Sequence, residues 1–267
     1  MSAEGPTGEQ SFAEALGSMA GVVYVVQPGL ALLDTAVAAA RRVGDAPTVR
    51  VIASGGTLRS FRSRFRAAAR AAELVDRGGL SFRAYDEWTA TPALVGAETA
   101  YAPVIVGTAR GVFPGADDSF AAAAYDQCDR HWDDASAFHL HTPPLSVVRE
   151  TMAAEFGDSA RDAFETALDT IDRGSESAFD EVYAVLVIAG HEELLHYDVS
   201  KWGEDIGLAS KATFSRKKNQ LEEWGIIETE KVSVDVGRPR QRLLLTDEYR
   251  ERVETEGLAG LLSSVVY

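Results

Sequence analysis

Short apolar runs alternate along the first third of the chain with longer segments whose apolar residues recur at helical spacing. The runs at residues 21–26, 49–53 and 80–85 are rich in β-branched and aromatic residues, a composition typical of buried strands. Residues 30–43 and 58–77 repeat apolar residues every three or four positions, as an amphipathic helix does. Strands that alternate with helices favour an α/β sheet with at least a parallel portion.

The pattern then continues with further strands and, after them, with helices alone. It predicts three strands and three helices, at residues 94–98, 102–107, 110–113, 117–135, 146–156 and 158–172. Residues 174–177 form a short polar linker, where we place a domain boundary. The expected organisation is an N-terminal α/β sensing and dimerisation domain over residues 1–174, followed by an α+β domain over residues 175–267.

Residues 198–246 hold the most specific pattern in the chain. Apolar spacing over 199–206 and 210–224 predicts two short helices, and Gly207 lies between them at a turn that favours a positive φ. Residues 227–236 alternate apolar and polar side chains, as a hairpin strand does, and a second strand follows a basic turn. Together these elements predict a winged helix-turn-helix, a fold typical of proteins that read DNA.

The second of these helices carries most of the residues that we expect to contact DNA. Phe214, Leu221 and Trp224 share one face and are predicted to pack inward, and Lys218 also tends inward. The opposite face then presents the residue types that reach base edges, while the start of the helix suits phosphate. The predicted DNA-binding residues are Ser210, Lys211, Thr213, Arg216, Lys217, Gln220, Arg238 and Arg240. Solvated charges on a scaffold for protein contacts are the alternative.

The distribution of charge changes the first impression that the overall acidity gives. A net charge of −15 argues against a polyanion as partner. Residues 1–174, however, contain 15 arginines and 23 acidic residues, whereas residues 198–246 contain nine basic and eight acidic residues, including all five lysines of the chain. An acidic, lysine-poor composition resembles that of proteins from halophiles. At molar salt the Debye length is about 3 Å, so such a protein depends on close contacts to hold DNA.

Two motifs in the C-terminal region resemble those of known regulators. The W-G-I-I run at residues 224–227 and the G-R-P-R turn at residues 237–240 look like those of winged helices in archaeal and bacterial repressors. Nearly the whole chain resembles the TbsP family of haloarchaeal transcriptional regulators, which pair an N-terminal α/β domain with a C-terminal winged helix. The resemblance implies a sequence-specific transcriptional regulator of central carbon metabolism, notably of the genes of glycolysis and gluconeogenesis.

A segment rich in serine and glycine after the second predicted strand is the candidate effector site. Its two glycines let backbone amides approach a ligand, and the N-terminus of the following helix favours an anion such as a phosphorylated sugar. The G-G-T-L-R run is also similar to one in the phosphosugar-sensing domains of DeoR-type repressors. The predicted effector-binding residues are Ser54, Gly55, Gly56, Thr57, Arg59 and Ser60. A plain strand–helix turn that uses glycines for its geometry is the alternative.

Catalysis and metal binding find less support in the sequence. Residues 104–135 look like the later half of the phospholipase-D-like sensor fold of TrmB-type regulators, but the H-x-K pair of its catalytic version is missing from the chain. His139 and His141 suit one face of a strand as metal ligands, yet no third ligand is evident nearby. We therefore predict no catalytic residue, no metal and no cofactor. A phosphosugar-acting α/β enzyme with an appended winged helix is the alternative function.

Composition also bounds the compartment and the partners. No segment approaches the ~20 apolar residues that a membrane-spanning helix needs, and the single cysteine, Cys128, excludes an intramolecular disulfide. A single cysteine fits a reducing cytoplasm, where we expect the protein to be located. We also expect a homodimer, because winged helices usually read two half-sites. The expected partners are double-stranded promoter DNA and a small-molecule effector such as a sugar phosphate, with no membrane partner.

Overall fold

The computed structural model describes residues 8–43, 47–106, 109–115, 117–173, 179–233 and 239–266. The chain divides into two units, Met1–Pro144 and Leu145–Tyr267. Each unit has its own set of buried apolar side chains. The mixed α/β architecture predicted from the alternating pattern is confirmed, with the helix-turn-helix in the second unit.

In the described part of the chain, a mixed sheet of seven strands forms the centre of the first unit. Its strands are β1 (Val22–Val26), β2 (Thr48–Ala53), β3 (Leu80–Ala84), β4 (Ala93–Val95), β5 (Ala100–Val106), β6 (Ala109–Pro114) and β7 (Ser136–Ala137). Across the sheet they follow the order β6-β5-β4-β1-β2-β3-β7. Strands β1, β2 and β3 are parallel, and the other neighbours pair antiparallel.

Helices cover both faces of this sheet. They are α1 (Gly8–Gly17), α2 (Leu30–Arg42), α3 (Gly55–Arg62), α4 (Phe65–Asp76) and α5 (Asp118–Asp134). Successive strand residues point to opposite faces, so Val25 and Val51 pack with α1 to α4, whereas Tyr24 and Ile52 pack with Trp132 of α5. Burial on both faces explains why β1, at Val22–Val26, is a continuous apolar run.

A polar network fastens α5 to the sheet. The Tyr24 hydroxyl donates to Asp129 Oδ1 at 2.6 Å and accepts from Arg50 Nη1 at 2.9 Å. The guanidinium groups of Arg50 and Arg83 lie 5.0 and 4.7 Å from the ring of Trp132, so two cations contact the indole. Burial, together with the bond to Asp129, raises the pKa of Tyr24, which therefore stays protonated and remains a donor.

The second unit contains the predicted winged helix-turn-helix and further helices around it. Its elements are α6 (Leu145–Phe156), α7 (Asp158–Arg173), α8 (Glu181–His191), α9 (His196–Asp205), α10 (Lys211–Glu223), β8 (Ile227–Val232), β9 (Arg240–Leu245) and α11 (Asp247–Val266). Helix α8 is buried from Val182 to Gly190 and is therefore the central helix of this unit. Asp180 caps α8 by accepting the N–H groups of Val182 and Tyr183.

The expected boundary at residue 174 differs from this division, because α6 and α7 pack with the second unit. Trp202 Nε1 of α9 donates to Thr151 Oγ1 of α6 at 3.2 Å, and the rings of Trp202 and Phe156 lie 5.6 Å apart. The polar stretch 174–177 itself lies outside the described residues. A polar composition indicates a connection between elements, but it does not show which helices share a core.

Gly203 lets α9 and α10 approach closely, because it has no side chain. A Cβ built on Gly203 would lie 2.3 Å from the ring of Phe214, a residue of α10 with no exposed surface. At the turn between the two helices, Gly207 has a φ of 72°. Glycine adopts this left-handed conformation without strain, so the turn prediction is confirmed.

The last helix, α11, is interrupted at Gly257, whose φ of 72° and ψ of 162° are not helical. The sequence predicts an amphipathic helix over residues 247–262, and the glycine breaks it near its end. Leu261 and Leu262, beyond the break, are buried. Neither α11 nor any other helix in the described ranges is long and apolar enough to cross a membrane.

We expect Gly203→Ala to lower the free energy of unfolding by about 1–3 kcal/mol, because the added methyl group overpacks the contact with Phe214. The matched control is Gly56→Ala in α3, where an added Cβ would meet only Ser54 Oγ, at 3.8 Å. Removing a helical glycine from open space leaves the stability unchanged or raises it. Chemical denaturation followed by circular dichroism measures both variants. Wild-type stability of Gly203→Ala would contradict the close approach.

Candidate nucleic-acid interface

Helix α10 starts at a hydroxyl cap beside a carboxylate. Ser210 Oγ accepts the N–H of Thr213 at 3.2 Å. Glu204, at the end of α9, accepts the N–H of Lys211 at 3.3 Å and lies 2.9 Å from Lys211 Nζ. These bonds lower the pKa of Glu204 and raise that of Lys211. The two predicted phosphate ligands, Ser210 and Lys211, thus lie together where an internal carboxylate already occupies the position that favours an anion.

The buried face of α10 differs from the one that the sequence predicts. Its members are Phe214, Lys217, Lys218 and Leu221. The prediction that Lys217 lies on an exposed face is wrong, since the residue is only 8 % exposed. Trp224, predicted to pack inward, is 50 % exposed. Consecutive helix residues are turned by about 100°, so Thr213 and Gln220 flank the buried face, Lys217 belongs to it, and Arg216 lies on the solvent side.

Lys217 joins α10 to the start of α8. Its ammonium forms an ion pair with Asp180, the residue that also caps α8, and it lies 4.3 Å from the ring centre of Tyr183. The Tyr183 hydroxyl donates to Gln220 Oε1 at 2.6 Å. A cation inside a protein needs a partner, and here it has both a carboxylate and an aromatic face. Lys217 and Gln220, two of the predicted DNA ligands, therefore hold α10 against α8.

Lys218 lies inward, as the sequence predicts. It is 6 % exposed, and its Nζ lies 3.1 Å from Glu222 Oε2 and 3.4 Å from Gln241 Oε1. The aliphatic stem is covered while the ammonium reaches polar partners. Lys218 thus connects α10 to β9 and stabilises the unit.

The solvent face of α10 consists of small and polar residues and one arginine. Its exposed members are Ala212, Ser215, Arg216 and Asn219. Spacings of three and four residues place them on one side of the helix, and Thr213 is half-buried beside them. Of the predicted base-reading residues only Arg216 belongs to this face, and sequence reasoning misses the other three. If Lys217 and Lys218 are counted as interior positions together with Phe214 and Leu221, the sequence predicts these three residues on the opposite, exposed face.

The hairpin of β8 and β9 brings Arg240 back to α9. Arg240 Nη1 lies 3.0 Å from Asp198 Oδ1, and its guanidinium lies 4.6 Å from the ring centre of Tyr197. Arg240 also pairs with Val232, and they form the last residue pair of the hairpin before its turn, which we call the wing. Arg238, the other predicted wing ligand, lies outside the described residues.

Carboxylates pair with most of the described cations between residues 198 and 246. Besides the pairs given above, Lys201 Nζ lies 2.7 Å from Asp205 Oδ2 and Arg242 Nη1 lies 3.7 Å from Glu230 Oε2. Within the part of the chain that the structure describes, Arg216 and Lys231 form no such ion pair. The concentration of lysines therefore does not make the surface strongly positive, and Arg216 and Lys231 are the described cations most available to a new partner.

The predicted effector segment forms the first turn of α3 instead of an open loop. Ser54 caps the helix by accepting the N–H of Thr57 at 3.1 Å. Asp86 accepts the N–H of Gly55 at 2.8 Å, and a Cβ built on Gly55 would lie 3.0 Å from Arg59 Nη1. The exposed members of the segment are Gly56, Arg59 and Ser60. An internal carboxylate thus lies where the sequence predicts a phosphate group.

The candidate metal pair lies after α5. The ring centres of His139 and His141 are 6.0 Å apart. Across the described residues, no group of three or more His, Cys, Asp or Glu side chains is arranged to hold a metal ion. Cys128 is buried, and burial raises the pKa of its thiol to about 12, so the thiol is uncharged at neutral pH.

Comparison with protein families bears directly on this interface. Residues 144–263 match the family described as Transcriptional regulator TbsP-like, C-terminal HTH domain. Residues 4–143 match the family described as Transcriptional regulator TbsP-like, N-terminal. The chain belongs to the TbsP-like transcriptional regulators. The resemblance drawn from the sequence is thereby confirmed, and the two family matches meet where the TbsP-like structure divides.

Two other comparisons concern single proteins. A search of curated proteins finds no match to the TbsP-like chain. Among solved structures, that of TrmBL2, an archaeal chromatin protein described as showing a novel mode of DNA binding, is similar with a TM-score of 0.36 and 15 % identity. The similarity covers 50 % of this chain and 51 % of the other, so it spans about half the length of TrmBL2.

His196, the first residue of α9, lies beneath α10 of the TbsP-like protein. Its ring hydrogen-bonds to the backbone of Phe214. Among the described atoms, its Nε2 is buried without a hydrogen-bond partner. Burial, with Lys218 close by, lowers the pKa of His196, and Glu222 offsets only part of this effect. The neutral ring is therefore the form that fits under α10.

We expect the free energy of unfolding to fall as the pH drops below about 6.5, the pKa of histidine in an unfolded chain. The pKa of folded His196 is lower, so the unfolded protein binds the proton first. The contribution of neutral His196 to the free energy of unfolding is complete above about pH 7, and it is lost as the pH falls toward the pKa of the folded state. His196→Gln is expected to weaken this pH dependence, whereas His191→Gln, at an exposed position of α8, keeps it. Thermal unfolding between about pH 8 and 5.5 measures all three proteins; an unchanged slope in His196→Gln would refute this assignment.

Proposed function

We propose that this TbsP-like regulator reads double-stranded promoter DNA through the solvent face of α10. The observation that carries the proposal is that face itself, with Ala212, Ser215, Arg216 and Asn219 exposed together on the second helix of a helix-turn-helix. In proteins of this fold, the second helix lies in the major groove. Small residues at two of the four positions allow the helix to approach the base edges closely.

Two side chains on this face have the chemistry of direct base readout. Arginine donates to both major-groove acceptors of guanine, and asparagine pairs with the donor and the acceptor of adenine. Arg216 is exposed, and no carboxylate among the described residues forms an ion pair with it. Asn219 follows it by almost one helical turn on the same face. We assign base contacts to these two residues.

Phosphate contacts are assigned to the residues around this face. Ser210 and Thr213 supply hydroxyl groups near the start of α10, whereas Lys211 and Arg240 supply cations that Glu204 and Asp198 hold at 2.9 and 3.0 Å. A phosphate group that binds there replaces a carboxylate as the partner of the cation. Exposed ion pairs contribute only about 0–1 kcal/mol, so the exchange is easy. Arg238 remains a predicted wing contact, and Lys217 and Gln220 act by holding α10 in place.

We expect Arg216→Ala to weaken promoter binding by about 1–3 kcal/mol, the contribution of a bidentate base contact. The exposed position predicts a change in unfolding free energy of less than about 0.5 kcal/mol. Lys217→Ala is expected to lower the free energy of unfolding, because Asp180 loses its buried partner. The affinity of the folded variant for promoter DNA is expected to stay unchanged. Fluorescence anisotropy with labelled promoter DNA in molar KCl measures affinity, and thermal unfolding measures stability.

The matched control is Arg77→Ala, which removes the same charge from an exposed position in the first unit. It is expected to bind promoter DNA as the wild type does. Equal affinities of Arg216→Ala and Arg77→Ala would exclude base reading by Arg216. Loss of DNA binding in Lys217→Ala at wild-type stability would instead make Lys217 a direct contact, against the position described above.

The proposed function also includes a set of target genes and a dimeric state. Membership of the TbsP-like family supports promoters of central carbon metabolism as the targets, as the sequence resemblance implies. Two copies of the chain are proposed to bind two half-sites, the usual arrangement of helix-turn-helix regulators. Sequencing of the DNA cross-linked to the protein in cells identifies the targets, and light scattering gives the oligomeric state.

A phosphorylated sugar at the start of α3 is the proposed effector. The helix N-terminus and the exposed Arg59 and Ser60 support this site. We propose that the phosphate group takes the place of the Asp86 carboxylate, which accepts the N–H of Gly55 at 2.8 Å. Since a carboxylate and a phosphate group repel each other at this distance, binding requires Asp86 to move away.

We expect Asp86→Asn to bind glucose 6-phosphate about tenfold more tightly than the wild type, since loss of the competing charge is worth roughly 1.4 kcal/mol or more. The matched control is Asp76→Asn, which removes an exposed carboxylate at the end of α4. Isothermal titration calorimetry measures the three dissociation constants. Absence of binding to the wild type and to Asp86→Asn would end the sugar-phosphate proposal and leave the DNA proposal standing.

A further inference from the structure

A cavity of about 350 Å³ lies between α5 and the antiparallel strands of the first unit. Val95 of β4 and Ala100 and Ala102 of β5 form its floor, and Phe120 and Ala124 of α5 line the opposite side. Alanines face each other across this layer, and their side chains are too short to fill it. Protein interiors contain few voids larger than a water molecule, so a space of this size is characteristic of a ligand site.

The wall of the cavity is fixed before any ligand binds. The rings of Trp88, which lines the cavity, and His131 stack with their centres 4.3 Å apart and their planes at 29°. Gln27 donates to the carbonyl groups of Tyr85 and Trp88 at 3.1 and 2.9 Å, which fixes the loop that carries Trp88. On the other side, the bond between Tyr24 and Asp129 holds α5. Ligand sites are usually preformed in this way.

The lining is almost wholly apolar. Among the described residues, no acidic or basic side chain lines the cavity. Gln127, a polar lining residue, is engaged elsewhere, since its Nε2 lies 2.6 Å from His131 Nε2 and its Oε1 accepts from Arg130 at 2.7 Å. The thiol of Cys128 is uncharged, as described above. An ion would lose its hydration here without gaining a partner, so the cavity excludes phosphate groups and other anions.

The size of the cavity narrows the class of ligand further. An engineered apolar cavity of about 150 Å³ binds benzene, and this cavity has about twice that volume at about 350 Å³. Two fused rings therefore match it. Phe120 is 56 % exposed although it lines the cavity, so a bound apolar molecule gains further burial against this ring.

We propose that this cavity binds an uncharged, apolar molecule of the size of two fused rings, in contact with Trp88 and Phe120. The site is separate from residues 54–60, and it does not depend on the proposed reading of DNA. Its ligand differs in chemistry from a sugar phosphate, because the lining offers apolar contact and no counter-charge.

The test uses 6-propionyl-2-dimethylaminonaphthalene, an uncharged fluorescent naphthalene, titrated with the full-length protein. We expect saturable binding with a blue-shifted emission, and displacement by 2-naphthol but not by glucose 6-phosphate. Ala124→Leu fills the cavity and is expected to weaken binding by about tenfold or more. The matched control, Ala122→Leu, makes the same change at an exposed position of α5 that does not line the cavity, and it retains wild-type binding.

A second variant keeps the test independent of how well Ala124→Leu folds. Ala102→Leu places a leucine at an exposed strand position on the cavity floor and is also expected to weaken binding. Circular dichroism confirms that each variant is folded. The proposal is overturned by absence of saturable binding to the wild type, by wild-type affinity of both cavity variants, or by displacement of the probe with glucose 6-phosphate.

Discussion

The contact between Gly203 and Phe214 determines the geometry of the DNA-reading unit. Because Gly203 has no side chain, the ring of Phe214 lies directly against the backbone of α9. The next residue, Glu204, is thereby brought to the start of α10, where it binds both the N–H and the ammonium of Lys211. Once Phe214 points inward, helix geometry turns Lys217 inward as well and leaves Arg216 in solvent. The absence of a side chain at Gly203 thus determines which residues of α10 are exposed to solvent.

Acidic side chains belong to the candidate interface itself, because they pair with its lysines and arginines. Most described cations of the winged helix-turn-helix have a carboxylate partner, and in the proposed mode of DNA binding a phosphate group replaces that carboxylate. Short pairs of this kind persist at molar salt, where long-range attraction is screened within about 3 Å. Affinity then depends on geometry more than on net charge. The same device recurs in the first unit, where Asp86 binds the N-terminus of α3.

Local patterns in the sequence predict β1 to β6, the hairpin of β8 and β9, most helices and the turn at Gly207, because each depends on residues close together in the chain. They do not predict the burial of Lys217, since a lysine is counted as a solvent residue until its partner Asp180 is known. The carboxylate at the start of α3 comes from a distant residue, and the cavity arises because alanines on separate elements face each other. Such features depend on tertiary contacts between segments that the sequence alone does not bring together.

Asp180 serves two helices with one carboxylate, as the cap of α8 and as the partner of Lys217 in α10. Asparagine at this position would preserve the cap but leave a buried ammonium without a counter-charge. An uncharged residue at position 217 would remove the need for an acid, and then serine, threonine or asparagine would cap α8 equally well. We therefore expect evolutionary change at these two positions to be coupled, with the following consequence. Relatives that retain the lysine are constrained to retain the aspartate, whereas relatives that lose the lysine are free to vary the cap.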